Sequence, residues 1–142
     1  MIDIVIPNYN GRRFLAECLG SLAGQTCRDV RIIVVDNGST DGSDGFVREH
    51  FPDVHLIRLE ENRGFSAAVN AGILAGDSPL VFLLNNDTEL AADCLALLAE
   101  AAADRDADFF APRMLSFHER HLLDGAGDGF LRGGGGDRLG TM

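Results

Sequence analysis

Asn85-Asn86-Asp87-Thr88 sets two amides, a carboxylate and a hydroxyl side by side, directly after the unbroken apolar run Leu80-Val81-Phe82-Leu83-Leu84. Such a cluster offers oxygen atoms to a hard cation, and Asp87, the charged member, is the first candidate ligand. The same residue types accept hydrogen bonds from free helix N–H groups, so the stretch reads equally as a cap for a helix starting near Ala91. Other polar clusters share this setting. Pro7-Asn8-Tyr9-Asn10-Gly11 closes the run from Ile2, Asp36-Asn37-Gly38-Ser39-Thr40-Asp41-Gly42 follows Val30 to Val35, and Glu60-Glu61-Asn62-Arg63-Gly64 follows Val54 to Leu59. Arg63 stands beside a predicted helix start, where its guanidinium fork can pair with phosphate; the other reading is a solvated surface arginine. Asp41 or Thr40 reads as a helix cap. Asn70 falls inside a predicted helix, where asparagine is unfavourable unless its side chain bonds a specific partner, ligand or backbone.

These clusters need elements to hold them. Ile2 to Pro7, Val30 to Val35, Val54 to Leu59 and Leu80 to Leu84 are short apolar runs rich in branched residues, which predicts strands, and Asp108 to Ala111 looks like a fifth. Leu80 to Leu84, wholly apolar, is expected to be buried on both faces. Between them lie helical spacings. Phe14, Leu15, Cys18, Leu19 and Leu22 share one face, Ser43 to His50 makes a short helix that Pro52 closes, and Phe65 to Ala75 has Phe65, Ala68, Val69, Gly72 and Ile73 inward. An alanine-rich helix is expected from Ala91 to Ala103. Strands alternating with helices over short loops predict an α/β fold, a mostly parallel sheet with helices on both faces and right-handed crossovers. In such sheets ligands sit just outside the carboxyl ends of the strands, where all the polar clusters fall.

Composition narrows the partners. The chain has 142 residues and a net charge of −10, and all 12 basic residues are arginine. An acidic chain without a basic stripe is not built for nucleic acid or an anionic membrane as its main partner, although helix N-termini or a divalent cation can still hold an anion locally. Cys18, Cys27 and Cys94 lack metal-type spacing and make an odd count, and Cys18 and Cys94, at apolar positions of predicted helices, read as small core residues in a reducing compartment. His50, His55, His118 and His121 read as surface residues. No apolar run approaches the ~20 residues of a membrane span, and a cytoplasmic domain is expected. Eight of the 17 glycines fall between Gly125 and Gly140, too permissive a stretch to specify a regular element. A glycine cluster cradles phosphate only between a strand and a helix start, and neither is visible there, so a mobile loop is expected.

Taken in order, Ile4-Val5-Ile6-Pro7-Asn8-Tyr9-Asn10, Ile33-Val34-Val35-Asp36-Asn37-Gly38-Ser39-Thr40-Asp41-Gly42, Asn62-Arg63-Gly64-Phe65-Ser66-Ala67-Ala68-Val69-Asn70-Ala71-Gly72 and Leu84-Asn85-Asn86-Asp87-Thr88 resemble the family 2 glycosyltransferases of the GT-A fold. Those are inverting enzymes with nucleotide-sugar donors. The resemblance covers residues 1 to 115, and Asn85-Asn86-Asp87-Thr88 with Asp124-Gly125-Ala126-Gly127 looks most like the rhamnosyltransferase branch. It implies Asp87 as ligand of Mg²⁺ or Mn²⁺, with Asn85 or Asn86 on donor ribose, sugar or a metal-bound water. The family's Asp-x-Asp motif here keeps only its last carboxylate. The resemblance further implies that Pro7, Asn8, Tyr9 and Asn10 line the base pocket and that Asp36 accepts a hydrogen bond from the ring N–H of uracil or thymine. Asn37, Arg63, Gly64 and Asn70 belong to the same nucleotide-sugar site. The plainer readings are a strand-end aromatic for Tyr9 and a loop-bracing carboxylate for Asp36.

An inverting glycosyltransferase also needs a general base. In the family it lies C-terminal to the metal motif, and nothing after Pro112 matches it; Asp124 and Asp128 are carboxylates in a different, glycine-rich setting. The expectation is a donor-binding α/β domain over 1–115, with 116–142 opening an acceptor-binding half. An uncovered part of the sheet, an exposed apolar patch and homodimerisation follow from that expectation. The acceptor would be a saccharide or lipid-linked, the location cytoplasmic or peripheral at the inner membrane face. The competing readings are a nucleotide-sugar-binding module without turnover and a nucleotidyltransferase; the latter calls for a basic glycine-rich loop, of which Gly11-Arg12-Arg13 is a faint echo.

Overall fold

The structure, a computed structural model, describes residues 1–103 and 107–125 and the backbone of 128–130 and 136–138. Two compact units divide it, Met1–Leu95 and Ala96–Met142. In the first, β1 (Ile2–Asn8), α1 (Arg12–Ala23), β2 (Val30–Asn37), α2 (Ser43–His50), β3 (His55–Leu59), α3 (Phe65–Leu74) and β4 (Leu80–Leu83) alternate as expected. The strands form one all-parallel sheet in the order β3-β2-β1-β4. α4 (Cys94–Ala103) follows.

The apolar runs of β1 and β2 supply the core. Ile4, Val5, Ile6, Ile33, Val34 and Val35 are all fully buried. Alternation sends Val5, Ile33 and Val35 toward α3, whose Ala68 clusters with Ile33 and Val35. Close approach there depends on Gly72, since a Cβ on it would lie 2.3 Å from Val5 Cγ1. The opposite pleat belongs to α1. Its Leu19 and Leu22 line a groove of about 300 Å³ with Val30 and Ile32 of β2.

Several expectations give way. Among the described residues β4 is an edge strand, paired with β1 alone, and Leu80, Val81 and Leu83 are 36%, 44% and 49% exposed. The strand buried on both faces is β1. A continuous apolar run describes either case, because edge and centre differ in neighbours rather than composition. Phe65 and Ile73 of α3 also face outward. The last helix begins at Cys94 instead of Ala91. The buried Gln25 side chain donates to Ala91 O at 2.8 Å and accepts from Leu95 N at 3.1 Å, so 91–93 form a turn and Gln25 satisfies a free N–H of the helix start.

In the second unit, 108–111 form no strand and Phe109 is 93% exposed. β5 (Met114–Leu115) instead pairs antiparallel with β6 (Leu123–Gly125). The glycine-rich stretch is not uniformly irregular either, because β7 (Asp128–Phe130) and β8 (Gly136–Arg138) form a second antiparallel pair. Gly133 to Gly135 lie outside the described residues, as do Ala126 and Gly127.

Candidate functional site

Parallel strands bring the ends of β1, β2 and β4 to one edge of the sheet, and the polar clusters meet there. Asn8 closes β1 opposite Asp36 of β2. Its Nδ2 donates to Asp36 Oδ1 at 3.1 Å and to Ser39 Oγ at 3.3 Å, while its Oδ1 accepts from Asn86 Nδ2 at 2.7 Å. Asn8, Asp36 and Ser39 are all buried. Asp36 is therefore a bracing carboxylate in this structure, accepting from Ser39 N at 3.3 Å as well, with Arg58 Nε at 4.0 Å. Asn86 hydrogen-bonds into the protein. The loop makes room for it at Gly11, where a Cβ would meet Asn86 Nδ2 at 2.0 Å.

The rest of the two loops interlocks. Asn10, at φ 50°, donates its N–H to Ser39 Oγ at 2.9 Å and accepts from Thr40 N at 2.9 Å. Asp41 spans two helix starts, taking Arg12 N of α1 at 2.9 Å and Ser43 N of α2 at 3.0 Å. Burial pushes its carboxyl up, but the Ser43 hydroxyl and the backbone donors outweigh this and hold it below the usual range. Thus Asp41 is a cap, as its position suggested, although the cap serves two helices. Tyr9 stands half exposed beside these loops, and Pro7 is only partly covered at the end of β1.

Asn37 builds the third loop. It donates to Asn62 Oδ1 at 3.0 Å and Gly64 O at 3.1 Å and accepts from Arg63 N at 2.9 Å. Asn62 Oδ1 also takes Gly64 N at 2.9 Å. Gly38, at φ 74°, lets the Glu61 backbone approach to where a Cβ would be 2.6 Å from it. Held by its backbone, Arg63 leaves its side chain exposed at the start of α3. Asn70 is exposed on α3, and its side chain has no hydrogen-bond partner among the described residues. The specific bond its helical position suggested is absent from the fold itself.

Asp87 stands apart from this bracing. It sits in a turn with the half-buried Asn86 and is itself exposed, six residues before the Asp93–Cys94 boundary, and its carboxylate accepts no hydrogen bond among the described residues. The helix-cap reading of the cluster therefore falls. Asn85 is exposed beside it and gives its carbonyl to Thr88 Oγ1 at 2.7 Å and, at 3.8 Å, to the Cys18 thiol. Burial, and secondarily the Asp87 charge, push the Cys18 thiol up to about 12, so it stays protonated and inert. Among the described residues no three His, Cys, Asp or Glu side chains converge as a metal cage. The donor set at the turn is one free carboxylate with amide and hydroxyl neighbours, which suits a hard cation that takes its other oxygens from a ligand and water.

Asp124 lies in β6 and is partly covered; the side chain of Asp128 is outside the described residues. All four histidines are exposed. Sequence reading missed Ser39 as the hub of the first two loops, and Asp41's reach to α1. Their partners lie 29 to 31 residues away, a separation no local spacing signals.

The family model for glycosyl transferase family 2 matches residues 3–126. The glycosyltransferase GlyA of Streptococcus pneumoniae is 32% identical over 120 residues, which are 83% of this chain and 17% of that protein. A PGL/p-HBAD biosynthesis glycosyltransferase of Mycobacterium bovis is 36% identical over 103 residues, 70% of this chain and 40% of its own length. The chain thus spans well under half of either relative. Among solved structures, the mannosyltransferase of Pyrobaculum calidifontis in complex with GDP-Man and Mn²⁺ superposes with a TM-score of 0.66 at 30% identity, covering 73% of this chain and 32% of that one. A Staphylococcus aureus TarS fragment in complex with UDP gives 0.67 at 20% identity, covering 81% and 39%, a likeness of fold. The parallel sheet with its helices is of the GT-A type, as expected.

Proposed function

Since this chain belongs to glycosyl transferase family 2, we propose that the β1, β2 and β4 ends bind the nucleotide diphosphate of a sugar donor, with Asp87 holding Mg²⁺ or Mn²⁺ against it. The observation that carries this is the contrast at the site: Asp36 and Asp41 at these strand ends are hydrogen-bonded, while Asp87 is exposed and unpaired among the described residues. The cation would neutralise charge on the departing diphosphate. The residues of this chain bind and orient: the Pro7, Asn8, Tyr9 and Asn10 loop with Asp36 and Asn37 takes the base and ribose side, and Arg63 and Gly64 at the α3 start face the phosphates. Asn85, exposed beside Asp87, is the amide available to donor ribose or sugar. Asn70 offers a free side chain on α3. The cation in the Pyrobaculum relative's structure supports the metal assignment.

The reaction is inverting transfer from a UDP- or dTDP-linked sugar, rhamnose being the first donor to try, to a saccharide or lipid-linked acceptor. Asp87→Asn tests the core of this reading. The variant should keep its stability within ~0.5 kcal/mol, because the carboxylate has no partner to lose. Calorimetry with UDP, dTDP and GDP should show Mn²⁺-dependent binding to the wild type that weakens at least ~10-fold in Asp87→Asn. Binding that is the same in EDTA and in Mn²⁺ removes the metal from the proposal.

A further inference from the structure

Asn86 has a carboxylate-directed orientation, and this bears on Asp87 beside it. A carboxylate can only accept, so Asp36 obliges Asn8 to turn its NH₂ toward β2. Both Asn8 N–H groups are then used, on Asp36 and Ser39, and its carbonyl faces β4. That carbonyl accepts Asn86 Nδ2 at 2.7 Å, the shortest link of the chain. Charge at the end of β2 thus fixes amide polarity two hydrogen bonds away, in the turn after β4. Gly11 leaves the space, and no buried side-chain polar atom among the described residues lacks a partner.

We infer that Asn86 is a positioning residue, not a donor ligand: the Asp36–Asn8–Asn86 chain holds the turn that presents Asp87, and its polarity requires an amide at position 86. The inference rests on the nucleotide and metal reading above. It makes a counter-intuitive prediction for the isosteric change Asn86→Asp. Considered as charge alone, a second carboxylate next to Asp87 should tighten a divalent cation. Considered as polarity, it sets an acceptor against the Asn8 carbonyl. Turning Asn8 over only moves the clash to Asp36.

Three proteins decide between these: the wild type, Asn86→Asp, and Asn86→Asp combined with Asp36→Asn. In the combined variant every link reverses, with the amide at 36 donating to Asn8 and Asn8 donating to the carboxylate at 86. The Ser39 hydroxyl can serve either orientation. Melting temperature and Mn²⁺ affinity in the presence and absence of UDP are read for each. Asn86→Asp should melt lower and bind Mn²⁺ with UDP at least ~10-fold more weakly, the scale of one unmade buried hydrogen bond. The combined variant should recover at least half of the lost melting temperature, a coupling that independent side chains do not show. Tighter Mn²⁺ binding by Asn86→Asp, or losses that simply add in the combined variant, would overturn the inference. The melting comparison needs no nucleotide. If the wild type binds no nucleotide with Mn²⁺, the functional reading and the positioning role for Asp87 fall, while recovery or additivity still decides the polarity of the chain.

Discussion

Asp36 and Asp87 are carboxylates at the ends of the two strands that flank β1, and the fold treats them oppositely. Asp36 is wholly buried and braced by Asn8 and Ser39, whereas Asp87 is exposed and unpaired among the described residues. Gly11 shows how little slack the bracing has. Gly11→Ala places a methyl 2.0 Å from Asn86 Nδ2 and 2.5 Å from Asn8 Oδ1, so the amide must leave. The expected cost is about 1–3 kcal/mol of stability, measured by urea denaturation, and an unchanged midpoint would mean the loop shifts freely. Residue types at the end of an apolar run were enough to single out Asp87 as a candidate, and the structure leaves its carboxylate exposed. The part played by Asn86 was not legible: an amide in a polar cluster looks the same whether it faces a ligand or a partner 78 residues away. For Asn70, read as bonding either ligand or backbone, the side chain finds no protein partner among the described residues, which leaves the ligand.

Elements were read well where hydrophobic period decided them and less well where a distant polar group did. β1, β2, α1, α2 and α3 stand within a residue or two of expectation, but α4 starts late because Gln25 fastens the turn before it. At the other end of the sheet, Asp3 of β1 is almost fully buried, takes the Arg31 guanidinium of β2 at 2.7 and 3.0 Å, and accepts from Ser78 N at 2.9 Å. Arg31 also reaches Asp77. The Arg31 pairing holds the Asp3 carboxyl well below the usual range; burial opposes it, and Ser78 adds to it. A depressed folded-state value means stability that is full above the unfolded carboxyl range of ~4 and drains away as pH falls below it. Asp3→Ala should therefore lose on the order of 2 kcal/mol at pH 7 and show a shallower decline in melting temperature from pH 5 to pH 2. Asp41, also held low, keeps some slope in the variant. Parallel acid limbs for the two proteins would assign acid sensitivity elsewhere.

For the molecule, the open flank is β4. Leu80, Val81 and Leu83 give it an exposed apolar edge that pairs with no second strand among the described residues, the kind of strand that recruits another chain. Self-association of the 142-residue chain is expected to be concentration-dependent and to weaken in Val81→Lys, as sedimentation velocity would report. A wild type that stays monomeric at every concentration would mean the edge is protected. Composition and motif order made the α/β sheet legible, yet could not say which strand lay at its rim. The middle of that sheet poses a further problem of identity. Ile4-Val5-Ile6 lies against Ile32-Ile33-Val34, and sliding one strand by two residues in either direction would keep every side chain on its face and still set two of these three aliphatics against branched aliphatics. Such a slip, however, would separate Asp3 from Arg31 and Asn8 from Asp36 in one movement, because both are directly opposed cross-strand pairs. The two polar ends act as locating dowels for a largely interchangeable run, so a mispaired β1–β2 alignment forfeits both polar pairs at once.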